Sequence, residues 1–473
     1  MLDVAIPHIR ARRWRDVPGR SAGGRLARWS VIRAPRTTLC SILVLLGAAL
    51  AGTAGADPKR EVPDYDGRGN PDADAGSWAL WIPRILLSPL YAVNEYVLSR
   101  PLGALVSHAE RERWADTVAG IFTFGEGDRQ LIVPTALYDF GLLPCVGFYY
   151  AGDWIWAPDN QLRIHVATWG SRWINATAAD RYLLDASDQV QARVEFKRSE
   201  DNLFVGIGPD ARHDTESRYG LERVEGSLGY QRALPGASSL EVEAGVHRIS
   251  FVEGECCGDP SLDTEIAHGQ LMAPPGYNAP YTAGFARVGL TLDSRRPRPY
   301  PGGGAFLHLE ARPSVDFHDA RSWLAYGGAA GAAIDLTGHR RTLRASLAAS
   351  FVDSMTGGAV PFPEDPVLGG DAMAGFITGW MTGPSTAVGE VAYTWPAWLW
   401  LDAQTRLAVG NAFGNRLDGF APGKLRMSAD FGFTTSTAHE QGFELVLGVG
   451  TETFEQGAHV TSVRVAIGSR RGF

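Results

Sequence analysis

The alternation of apolar and polar residues over most of this 473-residue chain restricts its possible folds more than any other feature. In LRMSADFGF (425–433) every second residue is apolar, and Arg426 and Asp430 lie between them. The same period of two recurs at 162–166, 190–196, 401–409 and 443–449. A dry core does not accept a strand face that carries charges. A transmembrane barrel does accept it, because lipid covers the apolar face and water fills the lumen.

Sixteen such segments follow one another from about Leu131 to Phe473. They are predicted at 131–139, 141–151, 161–170, 174–185, 188–208, 217–234, 239–252, 282–293, 304–316, 320–336, 340–353, 386–395, 400–413, 424–434, 442–451 and 460–473. An even number of strands places both chain ends on the periplasmic side of an outer-membrane barrel, and the long connections 253–281 and 354–385 outside. We therefore predict an all-β fold, a 16-stranded antiparallel transmembrane β-barrel with a short helical N-terminal lead-in.

Composition agrees with a barrel and excludes other classes of protein. The chain is 45% hydrophobic and 20% charged, which excludes intrinsic disorder. No run of 18 apolar residues occurs, so no conventional membrane-spanning helix is expected. Acidic residues (52) outnumber basic ones (44), and a nucleic-acid partner is therefore not expected.

The N-terminal 130 residues divide into three predicted regions. Residues 1–56 contain nine Arg followed by an apolar stretch and then Ala54 and Ala56, a pattern typical of a signal peptide cleaved after Ala56. Residues 57–76 are predicted to be an acidic disordered linker. Residues 77–130 are interrupted by prolines and are predicted to form a periplasmic or interfacial helical segment, with packing against the following domain as an equal alternative. Residues 131–473 form the predicted barrel, exported to the bacterial outer membrane.

Motifs for chemistry are sparse, and we expect neither an enzyme nor a cofactor or metal site. The chain has no Gly-x-Ser-x-Gly elbow, phosphate-binding loop or His-Glu-x-x-His motif. Cys256 and Cys257 lack ligand partners at metal-binding spacing, which leaves a loop disulfide or two thiols. The polar strand faces carry His165, His247 and His308, which we expect to be solvated in the lumen. The same faces mix the charges of Arg163, Arg193, Lys197, Arg287, Arg344, Arg406 and Arg426 with those of Glu195, Glu225, Glu241, Glu243, Glu310, Glu390, Asp402 and Asp430.

Three segments stand out in the predicted barrel: NLFVGIGPD (202–210), LGGDAMAGF (368–376) and LAVGNAFGN (407–415). In that order they resemble the segment that closes the fifth strand, the tip of the sixth extracellular loop and a segment of the thirteenth strand in the barrel domain of the BamA/TamA outer-membrane proteins, also called bacterial surface antigens. The aromatic C-terminal residue Phe473 is similar to the signal by which such barrels are recognised for assembly.

The resemblance implies a candidate site made of two parts. The loop motif consists of Gly369, Gly370, Ala374, Gly375 and Phe376, and the strand segment of Ala408, Gly410 and Asn411. In the family an Arg at the loop tip pairs with an Asp on the thirteenth strand and holds the loop inside the barrel. Here those positions are Ala374 and Ala408, so the loop is either held in another way or lies on the surface.

The resemblance also bears on function. Family members that insert or translocate polypeptides carry periplasmic βααββ repeats, whereas the 74 residues between Ala56 and Leu131 read as linker and broken helix. We expect a role in outer-membrane biogenesis, or in transport of polypeptide or lipid across or into that membrane. The expected partners are outer-membrane lipid, the barrel-assembly machinery during insertion and a polypeptide or lipid client. A passive diffusion channel is the alternative, and a barrel enzyme is less favoured.

Overall fold

The computed structural model describes residues 121–125, 129–295, 302–336, 341–397, 401–435 and 443–469. The chain divides into two compact units, and every described residue belongs to the second, Leu43–Phe473. The predicted signal peptide with Ala54 and Ala56, the linker, the helical segment up to residue 120 and the C-terminal Phe473 lie outside the described residues and stay predictions.

Sixteen long strands form a single closed antiparallel sheet. They are β1 (Gln130–Asp139), β2 (Cys145–Asp153), β3 (Asn160–Trp169), β4 (Trp173–Leu183), β5 (Asp188–Phe204), β6 (Ser217–Leu234), β7 (Ser238–Val252), β8 (Tyr281–Asp293), β9 (Gly304–Asp316), β10 (Ser322–Asp335), β11 (Thr342–Ser354), β12 (Ser385–Pro396), β13 (Leu401–Phe413), β14 (Arg426–Thr435), β15 (Phe443–Thr453) and β16 (Val460–Ser469). Each strand pairs with the next, and β16 pairs with β1. The predicted 16-stranded barrel is confirmed.

The strand boundaries follow the predicted ones closely, with one informative difference. Strand β5 ends at Phe204 rather than at residue 208, because Gly206 and Gly208 adopt positive φ angles of 129° and 93° and turn the chain away from the sheet. The structure also contains a short helix that the sequence pattern does not predict, α1 (Leu262–Ala267), which begins after its N-cap Ser261. No helix within the described ranges has the length and hydropathy needed to cross a membrane.

The two faces of the wall differ as the alternation predicts. Leu228, Leu347 and Val463 point outward and are 61–72% exposed. Charged residues point inward and pair across strands: Arg287 contacts Glu243 at 2.7 Å and Glu310 at 3.3 Å. Further inward pairs are Arg344 with Glu390 and Arg406 with Asp430. The inner face therefore carries the expected mixture of charges, and opposite charges stand next to each other.

Four long loops leave the same end of the barrel, here called the loop end. They are L3 (205–216), L4 (253–280), L6 (355–384) and L7 (414–425). Both ends of the described barrel lie at the opposite end, here called the turn end. L6 contains a two-residue ladder between Val367–Leu368 and Met381–Thr382, which closes a stem inside the loop. The largest buried apolar cluster joins this loop to the inner wall.

Candidate functional site in the barrel lumen

The three segments that carry the family resemblance meet in one buried cluster. Its members come from β5 and L3 (Leu203, Val205, Ala211), from L6 (Leu368, Met373, Phe376, Trp380, Met381) and from β13 (Ala408, Ala412). Ala408 and Ala412 have the inward parity of Arg406 on β13, so the cluster lies on the lumen side of the wall. L6 therefore enters the barrel, and of the two arrangements that the sequence left open, the surface loop is wrong.

The two glycines that precede the loop tip shape the L6 stem. Gly369 and Gly370 have φ angles of 112° and 60°, a region that residues with a side chain rarely adopt. A Cβ at Gly369 would lie 2.1 Å from the carbonyl oxygen of Ile377. The stem is extended by L3, because the Gly208 amide donates a hydrogen bond to the Thr382 carbonyl at 2.8 Å. Leu203 and Val205 share the buried cluster with Leu368 and Phe376, so the predicted loop motif and the predicted fifth-strand segment are in direct contact.

The loop tip presses against the inner wall of β14 and β15. The Gly375 amide donates a hydrogen bond to Ser428 Oγ at 2.8 Å, and a Cβ at this position would lie 2.1 Å from the carbonyl oxygen of Val449. The Phe376 side chain is fully buried, and its ring occupies the space that a Cβ at Gly450 would need. Small residues on both sides thus allow close approach of loop and wall.

The strand segment faces two ways: Ala408 and Gly410 have the inward parity of Arg406, whereas Asn411 has the opposite parity and pairs with Ala387. Ala408 is buried in the cluster beneath the loop. A side chain does not fit at Gly410, because its Cβ would lie 2.5 Å from the carbonyl oxygen of Ala387. Asn411 is fully buried, and its side-chain amide donates hydrogen bonds to the carbonyl groups of Pro209 in L3 (3.2 Å) and Lys424 in L7 (2.6 Å). Asn411 therefore connects two loops to β13.

Two wall arginines hold the loop in place of the missing Arg–Asp pair. Arg406 on β13 donates to the Asp371 carbonyl at 2.8 Å, and Arg464 on β16 reaches the Ala374 carbonyl at 3.4 Å. Both arginines are themselves paired, Arg406 with Asp430 at 2.9 Å. In this contact the cation comes from the wall and the loop supplies backbone acceptors.

A third wall arginine packs on the loop through an aromatic ring. The Arg426 guanidinium lies 4.5 Å from the centre of the Trp380 ring, and its side chain is almost fully buried. The Trp380 indole donates a hydrogen bond to Glu216 of L3 at 3.0 Å, and its ring lies 5.0 Å from that of Phe376. Trp380 therefore connects the tip of L6, the wall and L3.

The first arm of L6 docks on the opposite wall, near β7 and β8. Phe362 is buried against Phe204 and Tyr219, and its amide donates to the Pro275 carbonyl of L4 at 2.9 Å. Glu364 Oε1 accepts a hydrogen bond from the Tyr281 hydroxyl at 2.7 Å and lies 3.0 Å from His247 Nε2. L6 is therefore anchored on both sides of the lumen and crosses it.

The two acids of this arm are shifted in opposite directions. Burial raises the pKa of Glu364, but the contact with His247 and its charge, together with the Tyr281 hydroxyl, outweigh burial and lower the pKa to about 2. Burial, followed by the charge of Glu364, raises the pKa of Asp365 to about 7. Adjacent acids that differ this much make docking of the arm dependent on pH.

The lumen histidines point inward as predicted, but two of them are not solvated. His165 is 2% exposed and lies 3.3 Å from the Thr135 hydroxyl, and His247 is fully buried under L6. His308 is the partly buried one and contacts Thr291 at 3.0 Å. The expectation of water-exposed histidines is wrong for His165 and His247, and for His247 the reason is that Glu364 of L6 covers it.

The described part of the seam between the first and last strands is short. Within the residues that the structure describes, strands β16 and β1 pair through Ala466–Asp139, Ile467–Tyr138 and Gly468–Leu137, and the Phe140 amide donates to the Val465 carbonyl at 2.9 Å, whereas the β1–β2 ladder extends from Gln130 to Leu137. The preceding residues Thr123 and Phe124 pair with Leu131 and Gln130 along the edge of β1 that β2 does not use. The chain itself therefore occupies part of the edge that faces β16.

A buried ion pair joins this seam to the loop tip. Arg464 on β16 binds both carboxylate oxygens of Asp139 on β1, at 2.9 and 2.8 Å, and the two side chains are about 8% and 7% exposed. The same guanidinium reaches the Ala374 carbonyl. Sequence reasoning missed this pair. Arg464 is the only charged residue at an inward position of β16, and that parity was the available signal.

The cysteines of L4 form a disulfide between neighbours in the sequence, Cys256 and Cys257. This is the first of the two predicted alternatives. Cys256 is buried in a cluster with Leu137, Leu143, Ala167 and Trp173, so L4 folds over the loop end of β1 to β4. The disulfide therefore belongs to the packing of L4.

With this geometry established, comparison with known structures is informative about the fold. BamA from Haemophilus ducreyi, solved without POTRA domains 1–3, has a TM-score of 0.52 at 10% identity, over 72% of this chain and 70% of that chain. CdiB from Acinetobacter baumannii and CdiB from Escherichia coli both have TM-scores of 0.45, at 8% and 11% identity. The comparison covers 72% and 71% of this chain and 59% and 62% of theirs, so the chain spans less than two thirds of either CdiB.

The chain has the fold of a 16-stranded outer-membrane barrel. At these identities the likeness concerns the fold alone. No protein-family model and no curated protein matches the sequence.

Proposed function

We propose that this protein is a non-enzymatic outer-membrane barrel that inserts or transports an envelope client, a polypeptide or a lipid, and that its lumen is closed at rest by L6. The observation on which the proposal depends is the docking of L6 on both walls. Phe362 and Glu364 hold one arm, and Gly375 and Phe376 hold the tip. A loop that crosses the lumen in this way obstructs free diffusion.

The seam supports a role at the membrane rather than through an open pore. The three residue pairs of the described seam are easier to separate than the longer ladders around the rest of the wall, because a shorter antiparallel ladder has fewer backbone hydrogen bonds to break. Arg464 connects that seam to the loop tip, so a displacement of L6 would act on the β1–β16 contact. The proposed partners are outer-membrane lipid, the barrel-assembly machinery during insertion and the client at the seam.

The alternative is a passive diffusion channel. The mixed charges on the inner face favour no strongly selective filter, and a barrel with an open lumen would suit small solutes of either sign. The two functions differ in one measurable property, since a diffusion channel conducts steadily and a barrel closed by L6 does not.

Planar-bilayer conductance of the refolded protein distinguishes the two functions. The variant to compare lacks residues 367–382, and its new ends are already close, because the Gly383 amide donates to the Pro366 carbonyl at 3.3 Å. We expect small flickering currents in the natural protein and large steady currents in the deletion variant. Large steady currents in both would overturn the closed-lumen proposal and favour the diffusion channel.

Photo-crosslinking in cells tests the role of the seam. A benzophenone amino acid at Tyr138, which faces outward beside Ile467, should capture polypeptide or lipid clients. The same probe at Val194, which faces outward on the unbroken β4–β5 wall, is the matched control. Equal adducts at both positions would contradict a client site at the seam.

A further inference from the structure

The outer wall contains an apolar groove under an overhanging loop. The groove has a volume of about 860 Å³ and extends across β9 to β13. Its floor is a row of cross-strand neighbours with small side chains, Gly328, Ala349 and Ala387, which face outward between the larger Leu309 and Leu347. The small side chains leave a depression between the two leucines.

L7 forms the roof of this groove by folding over the outside of the barrel. Phe413 points outward at the end of β13 yet is fully buried, because Phe420 of L7 packs on it with ring centres 5.3 Å apart. Ser385 on β12 fixes the loop by donating to the Gly414 carbonyl (2.6 Å) and accepting from the Leu417 amide (2.9 Å). Leu425 and Phe420 line the groove from above.

A cation stands at the loop end of the groove. Arg416 of L7 donates through Nε to Asp353 on β11 at 3.0 Å, and Asp353 also accepts from the Tyr326 hydroxyl at 3.0 Å. Tyr326 stacks on Phe351, and both rings line the groove. The Arg416 side chain is 74% exposed, and its contact with Asp353 is made through Nε. A guanidinium edge in this position suits a phosphate.

We propose that this groove is a binding site for a phosphate-bearing glycolipid of the outer leaflet, with an acyl chain on the Gly328–Ala349–Ala387 floor and a phosphate at Arg416. The outward parity of the groove places it among acyl chains, and this rests on the outer-membrane location proposed above. The overhang distinguishes it from ordinary lipid-facing wall, because L7 encloses the chain from above and positions the cation at headgroup level.

Native mass spectrometry of the delipidated full-length protein in detergent tests the site. The probes are bis-phosphorylated lipid A and the same lipid with both phosphates removed. We expect the phosphorylated lipid to bind about tenfold more tightly, the magnitude of one charge-assisted contact. Arg416→Gln should abolish this preference. Arg248→Gln is the matched control, because Arg248 is also exposed and outward-facing but lies on β7, away from the groove.

Filling the floor tests the acyl-chain part of the site. Ala349→Leu and Ala387→Leu should each weaken binding of both probes about tenfold, since a larger side chain occupies the depression. Ala345→Leu is the control, because Ala345 faces outward on the same strand and lies outside the groove. Heat-modifiable migration on gels checks that each variant is a folded barrel. Because there are two independent floor variants, the test still works if one of them does not fold.

Two outcomes would overturn the proposal. Binding that is equal in the floor variants and in Ala345→Leu would show that the lipid does not use the groove. Binding that depends on the floor but is indifferent to phosphate and to Arg416 would reject a phosphate-bearing lipid as the occupant. Neither outcome depends on lumen conductance, so failure here is distinguishable from failure of the proposed function.

Discussion

At the scale of single residues, the site is built from pairs in which one partner is small and the other is large or charged. Gly375 allows the loop tip to contact the wall, and Arg406 and Arg464 bind the backbone carbonyl groups of the loop. Ala374 and Ala408 lie where the resembled family has an Arg and an Asp, and both are buried in apolar contacts here. No uncompensated charge is left at either position, since both members of the pair are replaced.

Gly375→Ala is expected to undock the loop tip. A Cβ 2.1 Å from the Val449 carbonyl oxygen meets backbone rather than a movable side chain, which typically costs about 1–3 kcal/mol. Bilayer conductance should become larger and steadier. Gly358→Ala in the same loop is the control, because its Cβ would lie 3.9 Å from Arg321 Cγ and meet no obstacle. Unchanged currents in Gly375→Ala would contradict the docked tip.

Arg464→Ala is expected to lower the free energy of unfolding by about 3–5 kcal/mol, because Asp139 would remain buried without its cation. The double change Arg464→Ala with Asp139→Ala should recover part of this loss. Arg212→Ala, which breaks the exposed Arg212–Asp214 pair, should change stability by less than about 1 kcal/mol. Urea titration of the barrel in lipid vesicles measures all three, and equal losses for the two single changes would refute the role of the seam pair.

At the scale of elements, L6 has two anchors whose chemistry differs. The tip is held by close packing and by wall arginines, whereas the first arm is held by Phe362 and by the acids Glu364 and Asp365. The arm should therefore respond to pH. In the docked loop the pKa of Asp365 is about 7, and in the undocked loop it returns to about 4.

Docking should weaken as pH rises from about 4 to about 7, because across this window the docked Asp365 holds a proton that the undocked residue releases. Glu364 has the opposite sign: its pKa of about 2 means that its contribution is lost as pH falls from about 4. The open probability of the barrel, measured from pH 4 to 8, should rise as the pH increases from about 4 to about 7. Asp365→Asn should remove this rise, and Asp371→Asn, at an exposed side chain of the same loop, should retain it. A pH profile unaffected by Asp365→Asn would reject this role.

At the scale of the whole molecule, closure of the barrel depends on the ladder between the first and last strands. Among the described residues this β1–β16 seam has three residue pairs, and Thr123 and Phe124 occupy part of the remaining edge of β1. A barrel removes sheet edges only if every ladder closes, so under the proposed function the seam is where we expect a client strand or lipid to enter.

A disulfide between Tyr138→Cys and Ile467→Cys, which are direct cross-strand partners, should lock the seam. We expect the locked protein to lose client crosslinks at neighbouring seam positions and to unfold at higher temperature. The control disulfide joins Ala178→Cys and Val194→Cys, which are partners on the continuous β4–β5 ladder. Loss of function in the control alone, or in both, would argue against gating at the seam.

The sequence by itself determined the wall of this protein. A period of two with charges on one face permits a barrel and little else, so the strand number, the facing of Arg287 and Glu243 and the loop at 355–384 all follow from local pattern. The three family-like segments were also recognisable, although nothing in the pattern states that residues near 203, 376 and 408 touch.

The tertiary structure alone decided what fills the lumen. The contacts that decide this join residues 90 to 325 positions apart in the sequence, and no local period encodes such separations. They are the contact of Arg464 with the L6 tip, the Arg464–Asp139 pair and the Glu364–His247 contact. The expectation of solvated lumen histidines failed for the same reason, because alternation tells which face a side chain points to and not what covers that face. Closure of the sheet created an interior, and the long loop filled it because its apolar tip has no other surface to bury against.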